Sequence, residues 1–271
     1  MKTQRKKAQL AEYLTSLDSI VIAFSGGVDS TFLLKVAHDL LGSRVLAVTL
    51  RSNLFPKREI KDAELYCRQE GIAHLICDFQ ELEITGFAQN PENRCYLCKK
   101  KLFSIIWGIA REKGFRHVAD GSNLDDDKDY RPGLTAIVEK GVKSPLLYAK
   151  LSKQEIRNLS KEMGLFTWDK PSFACLASRF PYGEIITTER LLMIDRAEQI
   201  LLDLGLRQVR VRYHGGLARI ETDEKGFILF QDKGLRKTVY EQFERLGFTY
   251  ISLDLMGYRT GSMNETLKSK T

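Results

Sequence analysis

The sequence lacks long hydrophobic runs, which excludes several classes of protein. No apolar stretch reaches the roughly 18 residues that a membrane span needs, and the polar, lysine-rich start after Met1 has no apolar core of a signal peptide. We therefore expect a cytoplasmic protein with no membrane partner. The five cysteines are an odd number, which argues against disulfides and favours metal binding or catalysis for cysteines that cluster.

The glycine-rich segment at residues 25–30 lacks the lysine of a Walker phosphate loop. It reads Ser-Gly-Gly-Val-Asp-Ser, follows a short apolar run and precedes a helical pattern. A strand, a glycine turn and a helix start point backbone N–H groups at an anion. Because Asp29 would repel phosphate unless a divalent cation lay between them, we predict Mg²⁺ beside Asp29. A plain strand-to-helix turn with a serine cap is the alternative.

Apolar runs and helical patterns alternate along most of the chain, which predicts an α/β fold with a doubly wound parallel sheet. The predicted strands are 20–24, 45–50, 74–79 and 117–120. Beyond Gly183 a helix, a hairpin joined by Gly-Gly (208–221), further helix and a last strand (249–255) predict a smaller α+β unit. We therefore predict one domain over 1–183 and a second over 184–271.

A loop rich in aspartate follows the fourth predicted strand, at the sheet edge where nucleotides bind. Since oxygen ligands suit Mg²⁺, we expect at least one of these carboxylates to contact the metal, and we assign the ion to Asp29 and Asp127. A solvated acidic turn is the alternative. The aspartates concerned are Asp125, Asp126, Asp127 and Asp129.

The cysteines fall into two groups. Cys95 and Cys98 lie before a helix predicted from 99 to 113, where the helix start and nearby cations favour thiolates; half a zinc site, a redox pair and core thiols remain open. Cys175 lies in a long irregular loop beside a cation, which favours a reactive or metal-bound thiolate. Cys67 and Cys77 fall on a predicted helix and strand and are interpreted as core or near-core residues.

Two arginines on the first hairpin strand form another candidate site. Arg210 and Arg212 alternate with valines, which puts both guanidinium groups on one face of the strand. Because like charges repel, the pair suggests a bound anion, and phosphate accepts forked hydrogen bonds well. A solvated sheet face is the alternative. The net charge of +7 suits a phosphate-bearing small molecule as well as nucleic acid.

These motifs together resemble a known family. Ser-Gly-Gly-x-Asp-Ser after a strand resembles the PP-loop of ATP pyrophosphatases. With Asp-Gly-Ser-Asn-Leu-Asp-Asp at 120–126, Cys-Leu-Ala-Ser-Arg-Phe-Pro-Tyr-Gly at 175–183 and Val-Arg-Val-Arg at 209–212, nearly the full chain resembles the LarE family. Its members are ATP-dependent sulfur transferases of nickel-pincer nucleotide cofactor synthesis.

The resemblance implies a reaction and a set of site residues. A carboxylate of pyridinium-3,5-biscarboxylic acid mononucleotide is adenylated by ATP, pyrophosphate leaves, and enzyme-held sulfur displaces AMP to give a thiocarboxylate. Cys175 matches the sulfur-handling cysteine. The residues that match ATP contacts are Ser25, Gly26, Gly27, Asp29 and Ser30, and those that match contacts to the substrate phosphate are Ser178, Arg210 and Arg212.

The source of the sulfur divides this family. Members with only the loop cysteine give up its sulfur and end with dehydroalanine. Because this chain also carries Cys95 and Cys98, it resembles the branch in which three cysteines, here with Cys175, hold a 4Fe-4S cluster. A zinc site would need a fourth ligand, and no histidine or cysteine is spaced to supply it. Sacrificial transfer from Cys175 without a cluster is the alternative.

Further alternatives concern the class of protein. PP-loop enzymes with three cluster cysteines also thiolate tRNA, but neither zinc-finger cysteines nor an RNA-binding appendage is visible, so we do not expect nucleic acid as a partner. An amide-forming ligase of the NAD-synthetase kind would need none of the clustered cysteines, and a non-enzymatic nucleotide-binding module would not cleave ATP. We expect a nucleotide substrate and a homo-oligomer, and count other cofactor-synthesis enzymes among the candidate partners.

Overall fold

The computed structural model describes residues 2–128, 132–171 and 174–265 and divides the chain into two compact units. The first unit comprises Met1–Ile84 and Asn93–Phe173, and the second comprises Thr85–Glu92 and Ala174–Thr271. The boundary predicted after Gly183 lies inside the second unit. Every helix in the described ranges is too short or too polar to cross a lipid bilayer.

The first unit contains a four-stranded parallel sheet in the order β3-β2-β1-β4. Its strands are β1 (Ile20–Ala23), β2 (Val45–Arg51), β3 (His74–Asp78) and β4 (His117–Ala119). Central strands of such a sheet are covered on both faces, which explains why β1 and β2 read as continuous apolar runs. The strand order reverses between β1 and β4, so their carboxyl ends open a crevice where ligands bind in this architecture.

Helices cover this sheet, and the predicted α/β class is confirmed. Their bounds are α1 (Lys2–Ser16), α2 (Val28–Leu41), α3 (Lys57–Gln69), α4 (Arg94–Glu112), α5 (Gly133–Glu139), α6 (Pro145–Tyr148) and α7 (Lys153–Glu162). Ile22, Phe32 and Leu33 are fully buried in one continuous core with Leu146 and Ile156. This core fixes the start of α2 against the end of β1.

Local sequence signals explain some helix ends better than others. The Ser152 hydroxyl of α7 accepts from the Glu155 N–H at 3.3 Å, and the Glu155 carboxylate accepts from the Ser152 N–H at 2.9 Å. These two reciprocal bonds form a capping box, with a serine followed three residues later by a glutamate at the helix start. Helix α4, by contrast, begins at Arg94, five residues before the predicted Lys99. Asn93 precedes it and makes no side-chain capping bond that would mark this start.

The second unit is a smaller α+β unit, as predicted. Its elements are α8 (Thr188–Asp203), β5 (Val209–His214), β6 (Leu217–Thr222), α9 (Glu224–Leu229), α10 (Lys233–Leu246) and β7 (Tyr250–Leu253). Strand β6 pairs antiparallel with β5 and parallel with β7, so the sheet is mixed. Gly215 and Gly216 make the hairpin turn with φ of 57° and 94°, a backbone region that favours glycine.

Candidate functional site

The turn between β1 and α2 is shaped by Gly26, whose φ is +70°. A Cβ atom at this position would lie 3.1 Å from the Glu59 carbonyl oxygen and 3.3 Å from the Ala63 Cβ atom. Both the backbone conformation and the contact with α3 therefore require glycine. Below the turn, the Thr49 hydroxyl donates to the Phe24 carbonyl at 2.7 Å, which fixes the chain where it leaves the strand.

Two serines close this turn with short-range hydrogen bonds. The Ser30 hydroxyl donates to the Gly27 carbonyl at 3.1 Å and lies 3.1 Å from the Ser25 hydroxyl, which accepts from the Gly27 N–H at 3.4 Å. Since the one hydroxyl proton of Ser30 points at Gly27, Ser25 must donate to Ser30. The glycine turn is thus held closed before any ligand binds.

A cavity of about 200 Å³ opens at the ends of β1 and β4. Four of the five predicted ATP residues line it, whereas Gly26 packs beneath the turn against α3. On the β4 side the chain runs very close to α2, because a Cβ atom at Gly121 would lie 3.1 Å from the Ser30 nitrogen. The four lining residues from the ATP prediction are Ser25, Gly27, Asp29 and Ser30.

Asp29 is a largely buried carboxylate in this cavity. Burial raises the pKa of Asp29 above the usual aspartate value, and an ion pair with the Lys153 ammonium opposes that shift without cancelling it. The Asp29 Oδ1 atom is buried and has no hydrogen-bond partner among the described residues. A buried carboxylate oxygen without a partner fits an oxygen-preferring cation such as Mg²⁺.

The aspartate loop after β4 contributes further oxygens. Asp120 and Asp126 line the cavity, but both Asp120 oxygens already accept hydrogen bonds, including one from the Ser144 hydroxyl at 2.7 Å. The backbone of Asp127 lies in a short 3₁₀ turn, Leu124–Lys128, while its side chain and all of Asp129 lie outside the described residues. The assignment of Mg²⁺ to Asp127 therefore stays a prediction.

Two lysines distant in sequence support the PP-loop, and sequence reasoning missed both roles. Lys153 pairs with Asp29. Lys170 donates to the Gly26 carbonyl at 3.4 Å and forms ion pairs with Glu59 at 2.9 Å and Asp62 at 2.8 Å. The first contact of Lys170 holds the glycine turn and the other two hold α3. Neither lysine lies in a motif that would have revealed its partner.

The cysteine pair lies inside the first turns of α4, not before the helix. Cys95 is exposed and Cys98 is half-buried, and residues three apart share one helix face. Cys67, in contrast, is buried in the core, which raises its thiol pKa to about 12. Burial also raises the pKa of the half-buried Cys77. Exposure therefore sets Cys95 apart from the core residue Cys67, whereas Cys77, Cys98 and Cys175 are all half-buried.

In the second unit, Arg179 organises the loop that carries Cys175. Arg179 and Glu198 are fully buried and form a two-pronged ion pair at 2.8 and 2.9 Å. The same guanidinium donates to the Ala174 carbonyl and the Ser178 hydroxyl, each at 2.9 Å. Burial opposes ionisation of Glu198, but Arg179, Arg210 and the Val211 N–H together outweigh it and the pKa of Glu198 is lowered. From the sequence, Arg179 is only a cation near the cysteine.

Arg210 and Arg212 are 2% and 5% exposed, which excludes the alternative of a solvated sheet face. Arg212 donates to the Ser178 carbonyl at 3.0 Å and pairs with Glu221 at 2.7 Å. Burial and the repulsion of Arg179 lower the pKa of Arg210 to about 10, against the attraction of Glu198. The protein itself thus supplies anions beside the two arginines. Arg212 thus contacts Ser178, and Arg210 lies close enough to Arg212 for the two charges to repel each other.

The charges of this cluster do not cancel. Arg179, Arg210 and Arg212 face the two carboxylates Glu198 and Glu221, and the Arg212 Nε–H is buried without a partner in the described part of the unit. An unpaired buried donor beside excess positive charge fits an anionic ligand. The role of these residues in binding the substrate phosphate stays a prediction.

Within either unit, the described residues contain no group of three His, Cys, Asp or Glu side chains placed to hold a metal ion. Cys95 and Cys98 belong to the first unit and Cys175 belongs to the second. The three-cysteine site therefore stays a prediction that draws on both units.

Comparison with known proteins places the chain among the PP-loop enzymes. A model of the NAD synthase family matches residues 3–101. The chain is 44% identical over 265 residues to an uncharacterized protein of Synechocystis sp., slr1717, with 97% of this chain and 98% of the relative covered. It is 39% identical over 266 residues to the pyridinium-3,5-bisthiocarboxylic acid mononucleotide synthase of Lactiplantibacillus plantarum, with 97% and 95% covered.

The chain belongs to the LarE family. The expectation of an ATP-dependent enzyme is thereby confirmed. A tRNA-5-methyluridine(54) 2-sulfurtransferase of Thermus thermophilus is 31% identical over only 115 residues, which cover 41% of this chain and 36% of the relative. LarE membership rests on the whole chain, whereas the likeness to the tRNA enzyme is confined to part of it.

Proposed function

We propose that this LarE family member is an ATP-dependent sulfur transferase of nickel-pincer cofactor synthesis. It adenylates the carboxylates of pyridinium-3,5-biscarboxylic acid mononucleotide and converts them to thiocarboxylates. The observation that carries the proposal is the 39% identity, across 97% of the chain, to a synthase named for the bisthiocarboxylic acid product. The cavity at the ends of β1 and β4 would bind the phosphates of ATP, and the arginine cluster would bind the phosphate of the substrate.

The chemistry needs an activated carboxylate because a free carboxylate is a poor electrophile. A carboxylate oxygen attacks the α-phosphorus of ATP, the bond from that phosphorus to pyrophosphate breaks, and an acyl adenylate forms. A sulfur nucleophile then attacks the acyl carbon and AMP leaves with its oxygen. Ser25, Gly27 and Ser30 line the cavity in which the phosphates would bind, at the start of a helix whose dipole favours anions.

Mg²⁺ fits the carboxylates of the cavity. Asp29, with its unpartnered Oδ1 atom, would hold the ion together with a carboxylate of the 124–128 turn, either Asp126, which lines the cavity, or Asp127. Bound there, the ion would offset the charge of the triphosphate and of the departing pyrophosphate. Before the ion binds, the Lys153 ammonium balances the negative charge of Asp29.

The arginine cluster of the second unit would bind the phosphate of the mononucleotide substrate. Arg210 and Arg212 cannot turn towards solvent because they are buried, and Ser178 adds a hydroxyl beside them. Fixed guanidinium groups recognise phosphate through forked, charge-assisted bonds. Since Arg179 bonds both Ser178 and the Ala174 carbonyl, the phosphate contacts and the Cys175 segment are held by one buried side chain.

Cys175 is proposed to handle the sulfur, with Cys95 and Cys98 as further ligands of a 4Fe-4S cluster. The donor set fits, since three accessible thiols suit three iron atoms and none of the three is sealed in the core. A bound cluster would carry the sulfur to be transferred. Without it, the Cys175 sulfur itself would attack the acyl adenylate, and elimination across its Cα–Cβ bond would leave dehydroalanine and release the thiocarboxylate.

Product analysis tests the proposal. Protein purified without air is incubated with ATP, Mg²⁺ and the biscarboxylic acid mononucleotide, and the nucleotides are separated and weighed by mass spectrometry. We expect replacement of carboxylate oxygen by sulfur, with one AMP and one pyrophosphate for each replacement. ATP cleavage with an unchanged substrate would contradict the proposal, and so would the same product from Cys175→Ala.

The two sulfur sources have different signatures. If the cluster is present, wild-type protein contains iron and sulfide, Cys95→Ala loses most of both, and the control Cys77→Ala keeps them. If Cys175 is sacrificed, peptide mass spectrometry after turnover finds dehydroalanine at position 175 and no more than one sulfur transferred per chain. Unchanged iron content in Cys95→Ala would remove the three-thiolate site.

A further inference from the structure

Lys99 stands out among the described residues that line the phosphate cavity. It is the one cation among them, beside the carboxylates Asp29, Asp120 and Asp126. Three carboxylates around a small cavity repel a triphosphate unless positive charge offsets them. The PP-loop carries no lysine of its own, and Lys153 pairs with Asp29 alone among the three carboxylates. Lys99 of α4 brings a further positive charge to the cavity.

The stem of Lys99 is held by the start of α5. A Cβ atom at Gly133 would lie 2.8 Å from Lys99 Cδ, 3.2 Å from Lys99 Cε and 3.5 Å from the Cys95 carbonyl oxygen. Gly133 therefore leaves the space that the lysine stem occupies, and the next residue, Leu134, lines the cavity. A confined stem loses little conformational freedom when its ammonium group binds a ligand.

The neighbouring lysines of α4 differ from Lys99. Lys100 is exposed, donates to the Tyr96 hydroxyl at 2.8 Å and lies 3.8 Å from Glu139. Lys101 is exposed to solvent. Lys99 is half-buried, and its ammonium makes no hydrogen bond or ion pair with any residue in the described ranges. Its charge is thus available to a ligand in the cavity.

We propose that Lys99 is the phosphate-binding lysine of the nucleotide site and makes the cysteine-bearing start of α4 part of that site. Lys99 directly follows Cys98 and shares a helix face with Cys95, one turn earlier. A phosphate held by Lys99 therefore sits against the turn that presents both thiols. ATP binding thereby reaches Cys98 through the residue that directly follows it, and Cys95 through the helix face that it shares with Lys99. This inference rests on the proposed use of ATP.

Calorimetric titration of the full-length protein tests the binding role. Wild type, Lys99→Met and the control Lys101→Met are titrated with ATP and pyrophosphate in Mg²⁺, and with adenosine, which has no phosphate. We expect Lys99→Met to weaken ATP and pyrophosphate binding by about 10- to 100-fold, as expected for one lost charge-assisted bond. Adenosine binding should not change, and Lys101→Met should match wild type.

The outcomes separate this inference from the proposed function. If wild type binds neither ATP nor pyrophosphate, the ATP step fails and this inference fails with it. If wild type binds both and Lys99→Met binds them equally well, the role of Lys99 alone is overturned. A loss of adenosine binding as large as the loss of ATP binding would also overturn it, because it would indicate a damaged pocket.

Gly133→Ala provides a second route to the same side chain. The added methyl group should displace the Lys99 stem and weaken ATP binding in wild type, with no further loss in the Lys99→Met background, since both changes act through one group. Fully additive losses would contradict the contact.

Alkylation measures whether ATP held by Lys99 changes the reactivity of Cys95 and Cys98. In wild type and Lys101→Met from which any bound iron has been removed by a chelator, saturating ATP should slow iodoacetamide labelling of Cys95 and Cys98 several-fold, measured peptide by peptide with Cys77 as internal reference. In Lys99→Met, at ATP concentrations that restore saturation, the protection should be lost. Labelling that ignores ATP in wild type would overturn the link.

Discussion

Two opposing effects act on the pKa of Asp29: burial raises it, and the Lys153 ammonium lowers it by favouring the ionised form. Mg²⁺ binds the carboxylate only when it is ionised, so affinity for MgATP should fall with decreasing pH sooner than for an ordinary aspartate. In Lys153→Met the opposing cation is gone, and the fall should begin at still higher pH. Titrations from neutral to acid pH compare this variant with Lys101→Met, so that protonation of ATP itself cancels. Coincident curves would contradict the account.

The buried ion pair between Arg179 and Glu198 leads to a prediction about stability. Glu198→Gln leaves the Arg179 guanidinium buried without a charged partner, and we expect it to lower the free energy of unfolding by about 3–5 kcal/mol. The matched control Glu184→Gln breaks the half-exposed pair with Arg190 and should cost under about 1 kcal/mol. Urea unfolding measures both, and equal losses would contradict the buried-pair argument.

The same pair sets a pH dependence. Because the folded-state pKa of Glu198 is lowered, its contribution to stability is present above the pKa of the unfolded chain and is lost as pH falls through the folded value. Acid unfolding should therefore begin at higher pH in variants that weaken the ion pair between Arg179 and Glu198.

At the scale of elements, the turn between β1 and α2 depends on packing against α3. Gly26→Ala combines an unfavourable positive φ with a Cβ atom 3.1 Å from the Glu59 carbonyl, so we expect the turn to shift and ATP affinity to fall at least about tenfold. Gly71→Ala also has positive φ but meets nothing within 4 Å. It should lose stability without losing ATP affinity, and calorimetry of both variants makes the comparison. Equal ATP affinity in the two would contradict the packing argument.

Elements that follow from local pattern were predictable, and contacts between distant residues were not. The apolar runs of β1 and β2 and the capping box of α7 follow from neighbouring side chains. The early start of α4 has no capping bond to reveal it. The partners Lys153 and Asp29 are 124 residues apart and Arg179 and Glu198 are 19 apart, so only the folded chain brings them together.

At the scale of the whole molecule, the net charge of +7 would suit RNA as well as a nucleotide. One relative that spans the chain is named as a mononucleotide synthase, whereas the likeness to the tRNA enzyme covers only 41% of the chain. We therefore predict that tRNA binds only weakly and without sequence preference, and that binding disappears at about 150 mM salt as counterions compete. Filter binding across a salt series measures it. Tight binding of one tRNA that persists at this salt concentration would favour a tRNA thiolase.

The central claim is that AMP departs with an oxygen atom taken from the substrate carboxylate. The direct measurement uses substrate whose carboxylates carry heavy oxygen, incubated with ATP, Mg²⁺ and anaerobically purified protein, followed by mass spectrometry of AMP and product. The account predicts one heavy oxygen in AMP for each carboxylate that becomes a thiocarboxylate. AMP without the label, alongside thiocarboxylate product, would contradict it.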